Sequence, residues 1–262
     1  MTIESDESRK IAEREFHNQR EQIRKAEPEN HDTYYTNRRF YRTTGKSRNY
    51  IDAWFQKHCP KANTLDYCCG TGENAIKMAQ FGAQVDGVDI SDVSIETAHA
   101  RALALGLSDQ ISFTTMDAEN LVFPDNSFDV VLCSGVLHHL DLDNAYQELA
   151  RVVKPNGKIL CVEALSDNPL IHLYRKRTPH LRTVWEVDHI LTSADIHKAK
   201  KYFRNVEVRY FHLASIAAIP FINTPIFKPA MTVLNALDEV LMRVPGVQQM
   251  AWQAVFVLSE PN

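Results

Sequence analysis

The chain has 262 residues, of which 44% are hydrophobic and 24% charged, and its formal net charge is −4. These values are typical of a globular protein that buries a substantial core. An acidic balance gives no reason to expect nucleic acid as a partner, because phosphates favour a basic face. We expect a cytoplasmic protein, since the first ten residues are polar and no apolar run reaches the roughly 18 residues of a membrane helix.

Cysteine spacing indicates neither disulfides nor a metal site. The five cysteines include the adjacent pair Cys68 and Cys69, which would not form a conventional bridge. No CxxC or Cys/His ligand spacing is present. We therefore expect small buried thiols in a reducing compartment and no bound metal.

The first 60 residues are predicted to form a helical extension that covers the remaining domain as a lid. Residues 4–27 are rich in charge with sparse apolar positions. This pattern is compatible with a weakly amphipathic helix that ends near Pro28, and equally with a solvated arm. Residues 34–50 are dense in aromatic residues and arginine, and a second short helix is predicted from Ile51 to Pro60.

Strand and helix signals alternate through the centre of the chain. Strands are predicted over Thr64–Cys68, Gln84–Asp89, Gln110–Met116, Phe128–Ser134 and Lys158–Glu163. Helices are predicted between them over Glu73–Phe81, Val93–Leu105 and Asn144–Val153, the last followed by a turn at residues 155–157. Such βαβ alternation favours a parallel, doubly wound sheet.

The pattern changes after Glu163. A polar, His- and Arg-rich stretch over residues 166–189 precedes a predicted helix at Ala194–Phe203 and a strand at Val206–Phe211. An apolar helix is then predicted over Pro229–Val244, and a last strand over Trp252–Leu258. Two closing strands with a helical insertion between them are typical of the end of one domain.

The residues around position 70 predict a cofactor-binding loop. Gly70 and Gly72 follow the first central strand and permit a tight turn with close backbone approach to a ligand. Asp89 ends the next strand, where its carboxylate can accept both ribose hydroxyls. A dinucleotide needs a third glycine and a helix start free for pyrophosphate, but Ala75 and Glu73 occupy these positions. A cationic cofactor without phosphate is therefore favoured.

Five segments between Leu65 and Glu163 carry a family resemblance. They read LDYCCGTGENA, VDGVDIS, MDAENLVFPDNSFDVV, GVLHHL and ELARVVKPNGKIL. In this order they resemble the successive motifs of class I S-adenosylmethionine-dependent methyltransferases, and the type-11 small-molecule branch in particular. The resemblance implies S-adenosylmethionine as cofactor. It also implies an α/β fold: a Rossmann-like, seven-stranded, doubly wound sheet, mostly parallel with an antiparallel last strand.

The same resemblance implies a domain organisation. The methyltransferase domain would cover residues 61–262, behind the N-terminal helical extension of residues 1–60. A substrate-lid insertion would lie at residues 164–200 and an apolar helical insertion at residues 212–250.

Transferred residue by residue, the resemblance places cofactor contacts at the ends of successive strands. The methionine part of the cofactor would lie among Asp66, Cys69, Gly70 and Gly72, and the sulfonium would lie above Ser134. The ribose would be bound by Asp89 and Ile90. The adenine would be bound by Asp117 and Ala118, with Glu119 nearby. In resembling enzymes Asp129 begins the fourth strand and organises the fold.

Two histidines are candidates for the chemistry. His138 and His139 follow the fourth strand at the expected mouth of the site. A histidine with a pKa near neutral can take the acceptor's proton. The alternative is that the pair only shapes the loop through hydrogen bonds.

Acceptor-binding residues are predicted in two segments. The polar stretch contributes Arg175, His180, Arg182 and His189, and the N-terminal extension contributes Tyr34 and Arg38, which would close over the site. A salt-bridged surface connection is the alternative interpretation of the polar stretch.

These features predict a small-molecule O- or N-methyltransferase that works by in-line displacement and positions its acceptor. An alternative is a lipid-like, quinone or glycan-linked acceptor, suggested by the apolar residues of 214–244. Membrane contact is not favoured, because the helix there lacks a basic face. A cofactor-binding regulatory protein without turnover is the third hypothesis. The oligomeric state is not predicted.

Overall fold

The computed structural model describes residues 6–27, 38–178, 185 and 189–262. In this part of the chain seven strands form one sheet with the order β3-β2-β1-β4-β5-β7-β6. The strands are β1 (Asn63–Tyr67), β2 (Gln84–Asp89), β3 (Ile111–Thr115), β4 (Phe128–Ser134), β5 (Val153–Ala164), β6 (Phe203–Phe211) and β7 (Gln253–Pro261). Strand β7 runs antiparallel to both of its neighbours, and the other pairings are parallel. The predicted Rossmann-like sheet is confirmed.

Helices flank the sheet and extend the domain at both ends. They are α1 (Asp6–Ala26), α2 (Gly45–His58), α3 (Glu73–Gln80), α4 (Asp92–Ala104), α5 (Leu142–Val152), α6 (Pro169–Arg177), α7 (Ser193–Lys198) and α8 (Phe227–Leu241). Short 3₁₀ segments cover Arg38–Thr43, Leu137–His139, Ala199–Lys201, Ser215–Phe221 and Val247–Met250. None of the described helices has the length and apolar character that a membrane crossing requires.

Apolar side chains cover both faces of the sheet. One core lies around Leu65, Tyr67 and Val131, and the other around Phe55, Val85 and Leu132, all of which are buried. A sheet that buries both faces needs nearly continuously buried strands, and residues 64–67 of β1 and 130–133 of β4 are all buried. The β4 residues are all apolar, whereas β1 also buries Thr64 and Asp66. Burial of these strands on both faces fixes the positions of their carboxyl ends, which carry the polar side chains.

The strand order reverses between β1 and β4. Chain connections run from β1 outwards through β2 to β3, and then return to β4 on the other side of β1. Ligands of open α/β sheets bind outside the carboxyl ends of strands at such a reversal. The fold therefore directs attention to the loops that follow Tyr67 and Ser134.

Two segments differ from their predicted form. Strand β5 begins at Val153, and its register against β4 jumps from the Phe128–Val153 pair to the Val130–Lys158 pair. The residues of the predicted turn therefore loop out within one strand. The polar stretch after Glu163 contains helix α6 over Pro169–Arg177.

Candidate active site

A cavity of about 250 Å³ opens at the carboxyl ends of β1, β2 and β4, beneath helix α1. Its position is the strand-order reversal of the sheet. Seven of the nine cofactor residues expected from the sequence lie in its wall: Cys69, Gly70, Asp89, Ile90, Asp117, Ala118 and Ser134. Residues from the ends of four strands, β1 to β4, thus meet around one space.

The carboxylate of Asp89 holds the loop after β1 in place. It accepts a hydrogen bond from the Gly70 backbone at 2.8 Å and another from Ser91 at 2.9 Å. The loop turns through three left-handed residues, Cys68 with φ 58°, Gly70 with φ 52° and Gly72 with φ 74°. A non-glycine residue in this region is uncommon and marks a constrained backbone. Each carboxylate oxygen of Asp89 keeps acceptor capacity for a further donor from the cavity.

Asp66 and Gly72 lie behind the cavity wall. The Asp66 side chain is buried, and its Oδ2 atom has no hydrogen-bond partner among the described residues. Burial raises the pKa of this carboxyl to about 7, although a hydrogen bond from the Ala75 backbone opposes the change. A Cβ atom on Gly72 would lie 2.6 Å from the Phe113 ring. Both residues therefore support the loop from beneath.

The loop after β3 is ordered from two directions. Asp117 accepts the Glu119 backbone N–H through Oδ1 at 2.9 Å. The hydroxyl of Tyr67, which is fully buried in β1, donates to the carbonyl of Ala118 at 2.8 Å. A tyrosine at this position, unusual for the resembling motif, thus holds the loop against the sheet.

Helix α1 covers the cavity with a charged face. Its buried residues are Arg9, Glu13 and Glu21, whereas Ile11 is 41% exposed. The helix is packed on the domain, so the solvated-arm alternative is wrong. Its fully buried side chains are charged, whereas the apolar Phe16 and Ile23 are only half-buried. Spacing of four and eight residues places these three polar side chains on one side of the helix.

Ion pairs join α1 to the loop after β3. Arg9 lies 2.7 Å from Glu119 and also donates to the His139 carbonyl at 2.9 Å. Lys10 lies 2.9 Å from the Asp117 carboxylate and 3.3 Å from Glu119. The acidic residue expected at the adenine end is thus paired with a lysine of the covering helix. Sequence reasoning missed these contacts, since the partners are more than 100 residues apart.

The two candidate histidines have different surroundings. His138 Nδ1 lies 2.9 Å from the carboxylate of Glu163, a fully buried residue near the end of β5. The same carboxylate accepts the backbone N–H groups of Val136 and Leu137 at 2.8 Å each. These bonds fix the loop after β4, and His138 is part of that support.

His139 lies in the cavity wall and contacts α1. Its Nδ1 atom is 3.0 Å from the Glu13 carboxylate, and its ring packs edge to face with His17 at 5.2 Å. Burial and the neighbouring His138 lower the pKa of His139, while Glu13 opposes that effect. The imidazole is therefore neutral at pH 7, with Nδ1–H directed at the carboxylate and the lone pair on Nε2.

Most of the expected acceptor residues cannot be placed. Tyr34, His180 and Arg182 lie outside the described residues, and the side chains of Arg38 and Arg175 are not described either. His189 is exposed and stacks on Trp185 with ring centroids 3.5 Å apart. The Arg9 guanidinium lies 5.0 Å from the centroid of the same Trp185 ring. The polar stretch therefore reaches α1, which itself covers the cavity.

Comparison with known proteins finds similarity over the centre of the chain. The family model described as a methyltransferase domain matches residues 65–161. Over 97 residues the chain is 40% identical to 27-O-demethylrifamycin SV methyltransferase of Amycolatopsis mediterranei, covering 36% of each chain. Over these residues the chain is similar to class I S-adenosylmethionine-dependent methyltransferases.

Other relatives of this chain differ in the reaction that their names give. Over 118 residues it is 34% identical to the ubiquinone/menaquinone biosynthesis C-methyltransferase UbiE of Rickettsia massiliae, covering 42% of this chain and 48% of that one. The solved structure of PH0226 from Pyrococcus horikoshii OT3 matches with a TM-score of 0.55 at 20% identity, covering 83% of this chain and 92% of that one. It shares the fold. The chain spans between about a third and a half of the length of these curated relatives.

Proposed function

We propose that this methyltransferase moves the methyl group of S-adenosylmethionine to an oxygen atom of a small-molecule acceptor, with His139 as the base. The observation that carries the proposal is the position of His139 in the cavity wall, with its Nδ1 atom 3.0 Å from the Glu13 carboxylate. An oxygen acceptor has to lose a proton when it is methylated, whereas an amine only has to arrive unprotonated. A positioned base at this wall therefore favours oxygen.

The residues around the cavity fit S-adenosylmethionine. Asp89 keeps acceptor capacity for the ribose hydroxyls, and Asp117 keeps it for the adenine amino group. Acidic side chains in the wall suit a sulfonium cation, and the unpaired Asp66 carboxyl lies below the loop. When bound, S-adenosylmethionine supplies an electrophilic methyl group on its sulfonium.

The chain's own residues would then position the acceptor and take one proton. The acceptor oxygen uses a lone pair to form the bond to the methyl carbon as the carbon–sulfur bond breaks. The oxygen's proton passes to Nε2 of His139, and Glu13 stabilises the resulting imidazolium through Nδ1–H. Helix α1 excludes water from this space by covering it, which favours a correctly aligned reactant pair.

His138 acts differently in this proposal. Its Nδ1 is tied to Glu163, together with two backbone N–H groups of the same loop. It therefore positions the loop and is not the group that exchanges a proton with the acceptor.

The experiment compares wild type with His139→Ala, using S-adenosylmethionine labelled in the methyl group and a panel of phenols, alcohols and amines. We expect turnover of an oxygen acceptor to fall roughly 100-fold or more, the usual contribution of a positioned base. Cofactor affinity, measured by calorimetry, should change little. Equal turnover in the variant would contradict the assignment of the base, and labelling of amines alone would contradict the choice of oxygen.

A second candidate is a lipid-like acceptor, such as a quinone or a glycan-linked lipid. The insertion between β6 and β7 starts at the same sheet edge as the cavity, since Phe211 pairs with Gln253 and Gln253 pairs with Ala164 at the end of β5. Its helix α8 leaves Val233 68% and Val240 59% exposed. Flotation with phosphatidylcholine vesicles separates the candidates, because an enzyme for a water-soluble acceptor stays at the bottom of the gradient.

A further inference from the structure

Three side chains with metal-binding atoms converge where α1 meets the loop after β4. Glu13 and His17 lie four residues apart on α1, and His139 faces them from the loop. One atom from each lies within 4.8 Å of the other two. The Glu13 carboxylate is 3.0 Å from His139 Nδ1 and 3.6 Å from His17 Nε2. All three residues line the cavity.

The distances approach those of a transition-metal site. Zinc ligands lie at about 2.0–2.1 Å from the ion, so tetrahedral neighbours are roughly 3.3 Å apart. Two of the separations are within about 0.3 Å of that value. A small rotation of the His17 side chain, which is 30% exposed, would close the third.

The donor set has the composition of an open site. Two imidazoles and one carboxylate occupy three positions in catalytic zinc centres and leave a further position for water or substrate. Here that position would face the cavity. A hydrogen-bonded pair of Glu13 and His139 accounts for the positions of only two of these three side chains. The third, His17, brings Nε2 to the same carboxylate oxygen that His139 contacts.

The positive charges of nearby side chains are partly neutralised by carboxylates, so they repel a bound dication less than unpaired cations would. Arg9 is neutralised by Asp6 at 2.6 Å and by Glu119 at 2.7 Å. Lys10 is neutralised by Asp117 at 2.9 Å. The Glu13 carboxylate, which is buried beside the two imidazoles, supplies the negative charge of the ligand set.

We propose that Glu13, His17 and His139 form a binding site for a divalent transition-metal ion of the Zn²⁺ class. The ion would join α1 to the loop after β4 and hold the cover over the cavity. The site goes beyond the proposed function, which needs no metal. An ion on Nδ1 leaves the ring proton of His139 on Nε2, so the metal-bound form lacks a free base. We therefore expect Zn²⁺ to inhibit oxygen methylation, an expectation that rests on the proposed function.

The test titrates metal-free, full-length protein without an affinity tag, first with Zn²⁺ by calorimetry and then with Co²⁺ by visible absorption. We expect one ion per chain and tetrahedral Co²⁺ absorption bands. The His17→Ala variant should bind Zn²⁺ at least roughly tenfold more weakly, because it loses one of three protein ligands. The control His172→Ala removes an exposed histidine of α6 and should bind as wild type does.

Three results would overturn the proposal: no binding by wild type, equal binding by His17→Ala, or equal losses in His17→Ala and His172→Ala. Matched circular dichroism and urea unfolding of the variants show whether a loss of binding reflects a loss of folding. Methyl transfer in the presence of EDTA depends on the proposed function alone. Failure of the metal site and failure of the proposed function are therefore distinguished.

Discussion

His212 should make the protein less stable as the pH falls below neutral. This residue directly follows β6 at the start of the apolar insertion, and only 2% of it is exposed. Its Nε2 atom lies 2.9 Å from the Ser47 hydroxyl, and its Nδ1 lies 3.2 Å from the Ser215 hydroxyl. The Ser47 hydroxyl also donates to the Thr44 carbonyl, so it accepts from Nε2–H. A neutral imidazole satisfies this arrangement.

Burial lowers the pKa of His212 from 6.5 to about 4. The carboxylate of Asp238 opposes this effect, and the cations of Arg48 and Lys46 reinforce it. Because the folded pKa is depressed, the unfolded chain takes up a proton first as the pH falls through 6.5. Stability is therefore lost between pH 6.5 and pH 4. At 1.36 kcal/mol for each pH unit, the full loss is roughly 3 kcal/mol, of which about 2 kcal/mol is reached at pH 5.

The assay is urea unfolding at pH 7 and at pH 5 for wild type and for His212→Asn. Asparagine tolerates the left-handed backbone at this position, where φ is 67°, and it does not titrate. The variant should be less stable at pH 7, but its loss between the two pH values should be about 2 kcal/mol smaller than that of wild type. His172→Asn, an exposed change, should follow wild type. An unchanged pH dependence in His212→Asn would refute the reasoning.

Three further predictions concern the sheet and the cofactor loop. In calorimetry, Asp89→Ala should weaken S-adenosylmethionine binding roughly 100-fold or more through loss of charged hydrogen bonds. The control Asp86→Ala, on the same strand, should leave the affinity unchanged. Equal affinities of Asp89→Ala and wild type would contradict the ribose assignment. Glu163→Ala should lower the free energy of unfolding by roughly 3 kcal/mol, because two buried N–H groups lose their acceptor. Glu163→Gln keeps an acceptor oxygen, so its free energy of unfolding should fall clearly less in the same urea titration. Gly87→Ala should cost about 1–3 kcal/mol, because its Cβ would lie 2.5 Å from the Phe113 ring; a thermal midpoint equal to that of wild type would show that the ring can move aside.

The sheet could be predicted from the sequence because its signals are local. Alternating apolar strands and capped helices repeat at short intervals, and Gly70 and Asp89 mark adjacent strand ends. The cover of the site could not be predicted in the same way. Arg9 meets Glu119 and Glu13 meets His139 across more than 100 residues, and a search for apolar helix faces overlooks a charged one. The only local signal was the spacing of Arg9, Glu13 and His17 at intervals of four.

The two adjacent histidines illustrate the same limit. Both follow β4 in the sequence, and a one-residue step decides that His138 turns to Glu163 while His139 turns to α1. Loop geometry sets that difference, and composition does not encode it. Asp66 and Gly72, which the resemblance also places near the cofactor, are not among the residues that line the cavity.

The charged face of α1 also determines how readily this helix can move away from the cavity that it covers. When an apolar helix moves away from the surface that it covers, it exposes apolar area to water, which is unfavourable. When Arg9 and Glu119 separate, both charges regain hydration, which offsets much of the attraction that they lose. The more exposed pair of Lys10 and Asp117 is weakened further by dissolved salt. Moving α1 away from the cavity would therefore cost less than moving an apolar helix of the same size, and the cost would fall as the ionic strength rises.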